Sequence, residues 1–177
     1  MFHKPELKLL KKQAKELGIQ LIIEKSKGEK EKELVDLKNL ISKVKEKVEG
    51  IVVGGIASNY QGSRVKKICD DLNLKFIAPL LDYDSNRLWN ELIDEGFEVI
   101  LTKISCEGIG KEWLGKVIGR EEYKKLKAIS EKYKFRLDFE GGEAESAVLF
   151  MPEFKNKIKI KFNVVSDGNY RHWMNIK

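Results

Sequence analysis

The chain has 177 residues, with 34 Lys and Arg against 28 Asp and Glu and a formal net charge of +6. Apolar residues make up 42% and charged residues 35%, which suits one folded domain, or one with a small appendage, under a heavily charged surface. The longest apolar and glycine run, Ile51 to Ala57, is far short of the roughly 20 residues of a spanning helix, and the opening Met1-Phe2-His3-Lys4-Pro5-Glu6 does not read as a secretory signal.

Helix and strand patterns alternate from the start. Leu7, Leu10, Ala14 and Leu17 recur at helical spacing, and Gly18 stops that helix. Ile19 to Glu24 reads as a buried strand, broken by Lys27-Gly28. Leu34, Leu37, Ile41, Val44 and Val48 form one stripe, which predicts a helix of about five turns ended by Gly50. Ile51 to Ile56 reads as a fully apolar strand, Asn59 to Leu72 as a helix, and Phe76-Ile77 as a short strand closed by Pro79. Ser85 is placed to cap a helix carrying Leu88, Trp89, Leu92 and Ile93, with Gly96 after it. Phe97 to Ser105 reads as a strand, and Tyr123, Leu126, Ile129 and Tyr133 mark a later helix. Strand-like pieces follow at 147–150, 158–164 and 170–176.

This rhythm predicts an α/β fold with parallel strands and crossover helices, followed by a smaller α+β C-terminal region. The expected division is residues 1–80 and residues 81–177, because Pro79 to Asp84 interrupts the regular pattern. Ligands in such sheets sit at the carboxyl ends of the strands, so the loops after Ile56, Ile77 and Ser105 are the ones to inspect.

Cysteine and histidine bound the chemistry. Cys69 and Cys106 form no Cys-x-x-Cys pair, so a reduced, cytoplasmic protein is expected, with Cys69 packed on a helix face. His3 and His172 are too few for a His-rich zinc site. The clearest basic excess is late: Lys155, Lys157, Lys159 and Lys161 alternate with Ile158, Ile160 and Phe162. An exposed edge strand guarded by lysine is the preferred reading there, ahead of a nucleic-acid stripe.

Three loops could carry chemistry. In the first, an apolar strand runs into Gly54-Gly55-Ile56-Ala57-Ser58, and Ser58 and Gln61 have capping-box spacing. A helix N-terminus there would favour an anion, with Arg64 one turn on; an ordinary well-capped helix has the same spacing. In the second, Glu140-Gly141-Gly142-Glu143-Ala144-Glu145-Ser146 sets three carboxylates around a glycine pair. They could hold Mg²⁺, bind an ammonium group or do acid–base work, or form a polar turn between strands. The third, Ser105 to Gly115 with Gly108 within it, could wrap a substrate or merely join a strand to a helix, and Trp113 is expected to be packed.

Together these segments resemble the diphthine–ammonia ligases. Gly55-Ile56-Ala57-Ser58, Tyr60-Gln61, Arg64-Val65 and Cys69 are similar to that family's Gly-Ala-Ile-x-Ser-x-Tyr-Gln-x-x-Arg-Val-x-x-x-Cys block. Ala78-Pro79-Leu80 resembles its Ala-Pro-Leu-Trp, and Glu140-Gly141-Gly142-Glu143 matches its Glu-Gly-Gly-Glu. Leu81 stands where Trp is usual, Lys116 for Arg after Leu114-Gly115, Ala144 for an aromatic residue and Ser146 for Thr.

The resemblance implies a PP-loop ATP pyrophosphatase domain of the adenine nucleotide alpha-hydrolase-like, Rossmann-like kind. It implies ATP and Mg²⁺ as cofactors, ammonia as nucleophile, and diphthine on translation elongation factor 2 as substrate. Gly54, Gly55, Ile56, Ala57, Ser58, Tyr60, Gln61 and Arg64 would then serve the nucleotide. Glu140 and Glu143 would be catalytic, and Gly141, Gly142, Glu145, Ser146 and Gly108 would meet the substrate. The family's Ser-Gly-Gly-Lys-Asp-Ser pyrophosphate loop does not occur in the 177 residues. A segment bearing it, in cis or as a separate polypeptide, is therefore expected, as is a homo-oligomer without membrane or nucleic-acid partners. The alternatives are an RNA-modifying PP-loop pyrophosphatase and a non-catalytic binding module.

Overall fold

A computed structural model of the chain describes residues 6–29, 32–54 and 59–177, with the backbone alone at 59–61. They form two compact units. One contains 22–83; the other contains 5–21 and 84–177. The parallel strands with crossover helix and the separate antiparallel sheet agree with the expected α/β and α+β combination.

The first unit holds α2 (Lys32–Ser42), β1 (Gly50–Val52), α3 (Asn59–Leu72) and β2 (Lys75–Ile77); α1 belongs to the other unit. β1 and β2 pair in parallel, Ile51 opposite Phe76, and the Val53 N–H extends the ladder to the Ile77 carbonyl at 2.9 Å. α3 crosses between them and buries Val65, Ile68 and Cys69 along one stripe. Cys69 is fully buried, as its place on the helix face predicted.

Three expectations fail here. The helix of about five turns ends at Ser42, not Gly50. The Ser42 hydroxyl bonds back to the Lys38 carbonyl, the next amides switch to i→i−3 partners, and a short 3₁₀ turn follows at 45–47. Gly50 opens β1 instead, where a Cβ would lie 2.8 Å from the Lys75 carbonyl oxygen. The apolar run from Ile51 keeps only Ile51 and Val52 within the strand; Val52 is 68% exposed, and Ile56 lies outside the described residues. Ile19 to Glu24 forms no strand. Ile19 and Ile23 are 59% and 44% exposed, because a strand needs a neighbour for its ladder and no described residue pairs with this one.

The second unit is built on an antiparallel sheet in the order β4 (Ala144–Phe150), β3 (Glu98–Ser105), β6 (Arg171–Ile176), β5 (Phe162–Asp167). β3, which the strand–helix rhythm placed in the parallel set, is thus flanked by antiparallel neighbours. Its Ile100, Leu101 and Ile104 are fully buried. Against them pack α1 (Leu7–Leu17) through Leu9, α4 (Ser85–Asp94) through Trp89, and α5 (Arg120–Tyr133) through Leu126. Trp89 stacks on Tyr123 at 5.9 Å between ring centroids and donates its indole N–H to the Leu137 carbonyl at 2.9 Å, so the ring is both packed and satisfied. α1 ends as predicted: Gly18 is left-handed, and the amides of Gly18 and Ile19 reach back to the Lys15 and Ala14 carbonyls.

Two local expectations shift. Asp84, not Ser85, caps α4: it has extended backbone, and its carboxylate accepts the Arg87 N–H at 2.8 Å. The lysine-alternating stretch is not in the strand ladder either, since β5 starts only at Phe162. Its alternation survives without regular pairing. Lys157, Lys159 and Lys161 are exposed, Ile158 is buried, and the Ile158 N–H bonds to the Leu149 carbonyl at 2.8 Å.

Candidate functional site

The clearest geometry lies in the second unit, around the Glu-Gly-Gly-Glu segment. α5 ends at Lys134 in left-handed conformation, and the chain then alternates. Phe135, Leu137 and Phe139 are buried, while Arg136, Asp138 and Glu140 occupy the intervening positions. Burying every second residue anchors the turns that begin at Leu137 and leaves the polar residues to organise the loop.

They do so as a network. Arg136 grips Asp138 with two parallel contacts, Nε to Oδ1 at 2.9 Å and Nη2 to Oδ2 at 2.5 Å. Asp138 Oδ1 also accepts the Glu140 N–H at 3.0 Å, and its side chain is only 9% exposed. Burial works to raise the Asp138 carboxyl, but the Arg136 guanidinium and the loop N–H outweigh it and hold it below the usual range. Asp138 in turn raises Arg136, with Glu143 and Glu140 adding to the effect.

Glu143 folds back over the loop. Its Oε1 accepts the Arg136 N–H at 3.3 Å. The same oxygen would lie 2.4 Å from a Cβ at Gly141, so the carboxylate takes the space that a side chain there would fill. The Glu143 carbonyl accepts the Ser105 N–H at 2.7 Å, which ties the loop to the end of β3. Oε2 of Glu143 is buried with no hydrogen-bond partner among the described residues, a costly condition for a carboxylate oxygen and one that a donor supplied by a ligand would relieve. Cys106 stands in the same neighbourhood. Burial, and then the nearby Glu143 charge, push its thiol up to about 11, partly offset by the Ile109 N–H. It is a neutral thiol at physiological pH, not a nucleophile.

The other members of this group have different surroundings. Glu145 lies on β4 and pairs with Lys103 at 3.0 Å; Ser146, opposite Leu101, is exposed. Gly108 has φ +92° and packs against the Tyr133 ring, and Trp113 is buried, as expected. Asp138 and Arg136 were not singled out by sequence reasoning, and Cys106 was placed only within the third candidate loop. The buried–polar alternation of 135–140 was the available signal for the first two; Cys106 meets Glu143 only through the fold.

In the first unit, Gly54 follows β1 and is exposed, while Gly55 to Ser58 lie outside the described residues. Tyr60 and Gln61 fall in the first turn of α3. Arg64, one turn further, lines a groove of 460 Å³ with Leu34, Val35, Lys38, Lys67, Ile68 and Asp71. Lys38 bonds Asp71 at 2.6 Å and holds that carboxyl below its ordinary range. The cation-rich lining suits an anionic ligand. Among the described residues no three His, Cys, Asp or Glu side chains gather as a metal site, an arrangement that Mg²⁺ held by phosphates, waters and one or two carboxylates does not need, and no step is assigned to it. No helix among them is long and apolar enough to cross a membrane.

These features define a two-part α/β protein: a parallel unit with a cation-lined groove, and an α+β unit presenting a partly unsatisfied carboxylate loop. The chain belongs to the diphthamide synthase family: residues 1–76 match the diphthamide synthase N-terminal domain and residues 84–177 the C-terminal domain. It is 40% identical over 131 residues to the diphthine–ammonia ligase of Danio rerio, covering 72% of this chain and 51% of that one. It is 38% identical over 135 residues to the ligase of Bos taurus, at 76% and 50% coverage. Against the Saccharomyces cerevisiae ligase, identity is 27% over 156 residues, at 77% and 23%. The chain spans about half the length of the first two of these curated relatives.

Proposed function

We propose that this chain supplies the greater part of an ATP-dependent amide ligase acting on diphthine of translation elongation factor 2. In the first step ATP adenylates the diphthine carboxylate and releases pyrophosphate. In the second, ammonia attacks the acyl carbon, AMP departs with the C–O electron pair, and one proton is released. The first unit, with Gly54 to Ser58, Tyr60, Gln61 and Arg64, serves the nucleotide. The Glu140 to Glu143 loop, together with Gly108, Glu145 and Ser146, serves the acceptor.

The observation that supports this most directly is the Glu143 carboxylate, one oxygen accepting the Arg136 backbone N–H and the other buried without a donor among the described residues. A carboxylate so placed accepts a hydrogen bond from ammonia, orients its lone pair and takes the released proton. Glu140 begins the same loop at the Asp138 anchor. The pyrophosphate loop absent from this sequence must come from another segment, in cis or in trans.

The test is an amidation assay with diphthine-bearing elongation factor 2, ATP and ammonium, run with the chain joined to the loop-bearing N-terminal segment of a relative. Amide and AMP should form in equal amounts. Glu143→Ala should lower the amidation rate about 10²-fold or more while leaving nucleotide binding unchanged. Full activity in Glu143→Ala would overturn the assigned role, and no AMP from the joined protein would overturn the ligase reading.

A further inference from the structure

The second unit brings together two lysine-rich segments that are remote in sequence. The solvent side of α1 is made of Lys8, Lys11, Lys12 and Lys15, which fall within about 100° of the helix circumference at 100° per residue. The opposite side carries Leu9 and Ala14 into the core; Lys8, Lys11 and Lys15 are exposed, Lys12 is half-buried, and Lys8 Nζ donates to the Ile176 carbonyl at 2.6 Å. Alongside this helix runs the stretch 155–161. Lys12 Nζ donates to the Lys159 carbonyl at 3.0 Å, the Lys155 N–H donates to the Glu16 carbonyl at 3.2 Å, and Lys155 Nζ approaches Gly18. Its own lysines, at 155, 157, 159 and 161, are all exposed.

Charge is concentrated there. Residues 6–18 hold four Lys and two Glu, and residues 153–161 hold four Lys and one Glu, so 22 residues carry +5 of the chain's formal +6. Of the acids, Glu6 caps α1 and Glu16 bonds Asn156, while Glu98 on β3 pairs with Lys157. The lysines are therefore not guarding a regular strand edge, which the structure does not form at 155–161. The two rows hold neither Arg nor an aromatic ring, so they offer point charges to a backbone and no platform for reading bases.

We propose that this face, formed by α1 and residues 155–161, binds the phosphate backbone of RNA without sequence preference. The contacts are Lys ammonium groups on phosphate oxygens, and binding releases counterions. The proposal is independent of the ligase reading, which concerns other surfaces.

The experiment is fluorescence anisotropy with a labelled single-stranded RNA of roughly 20 nucleotides, titrated by the full chain over a range of salt concentrations. A fourfold variant, Lys11→Gln, Lys15→Gln, Lys155→Gln and Lys159→Gln, removes exposed charges only. Each lost phosphate contact lowers the salt slope by about 0.7, so the variant should lose about 3 in slope and bind at least tenfold more weakly near 0.1 M salt. A control with the same net charge, Lys124→Gln, Lys125→Gln, Lys127→Gln and Lys132→Gln on α5, should leave the slope unchanged. Intrinsic tryptophan fluorescence verifies the fold of both variants. Equal weakening by both variants would show a mere net-charge effect and overturn the proposal. So would absence of RNA binding, or a four-lysine dependence seen only with polyglutamate, which would make the partner an acidic protein surface.

Discussion

Glu143 and Cys106 illustrate how a residue's chemistry depends on what surrounds it. The thiol is neutral because it is half-buried and because a carboxylate lies beside it. At pH 8 a group with a pKa near 11 holds about a hundredfold less thiolate than one near 9. Alkylation of Cys106 by iodoacetamide in the native chain should therefore be slow and should rise with pH up to about 11. Glu143→Gln removes the negative neighbour, favours the thiolate and should move that profile to lower pH; Cys69, fully buried, should stay unreactive in both proteins. Mass spectrometry of labelled peptides reads this directly, and an unmoved profile would show that Glu143 does not sit over Cys106. The Glu-Gly-Gly-Glu segment was legible as a candidate from composition alone. Its anchor was not, because Arg136 and Asp138 look like ordinary surface charges until the turn closes between them.

Among the elements, helices were read more faithfully than strands. α3 and the start of α1 follow from apolar spacing, because a helix satisfies its backbone internally and its stripe is a local property. The strand expected at Ile19 to Glu24 failed because pairing is a property of two segments, and β3 was given antiparallel neighbours that no local pattern announced. The turn after β3 shows a further local demand. Gly108 has φ +92°, and a Cβ would lie 2.4 Å from Tyr133 Cδ2. Gly108→Ala is expected to cost about 1–3 kcal/mol through backbone strain and overpacking, measured by urea denaturation. Adding Tyr133→Ala should relieve only the clash.

For the molecule as a whole, sequence families and compact units divide the chain differently. α1 lies within the residues that match the N-terminal domain, yet packs in the unit formed by 84–177. Leu9 is 2% exposed there, and Gln13 donates to the Val148 carbonyl at 2.9 Å. Leu9→Ala should destabilise this unit by roughly 2–5 kcal/mol. All three tryptophans, Trp89, Trp113 and Trp173, belong to it, so their fluorescence in urea reports its unfolding selectively. A fragment of 84–177 should unfold at lower urea than the full chain; equal stability would show that α1 contributes nothing to that core.

By itself the sequence determined where the helices lie, though not where each ends, the alternation that makes an α/β protein, the family and the three loops worth inspecting. These are written in local periodicity and short motifs, which survive without knowledge of the fold. Only the tertiary structure decided which strands pair and in which direction, that α1 joins the second unit, that the Glu143 charge reaches Cys106 while one of its oxygens is unsatisfied among the described residues, and that two distant lysine rows share a face. Each of these depends on contacts between segments far apart in the chain. Such contacts are chosen by collective burial of the core and leave no mark in any single stretch of residues.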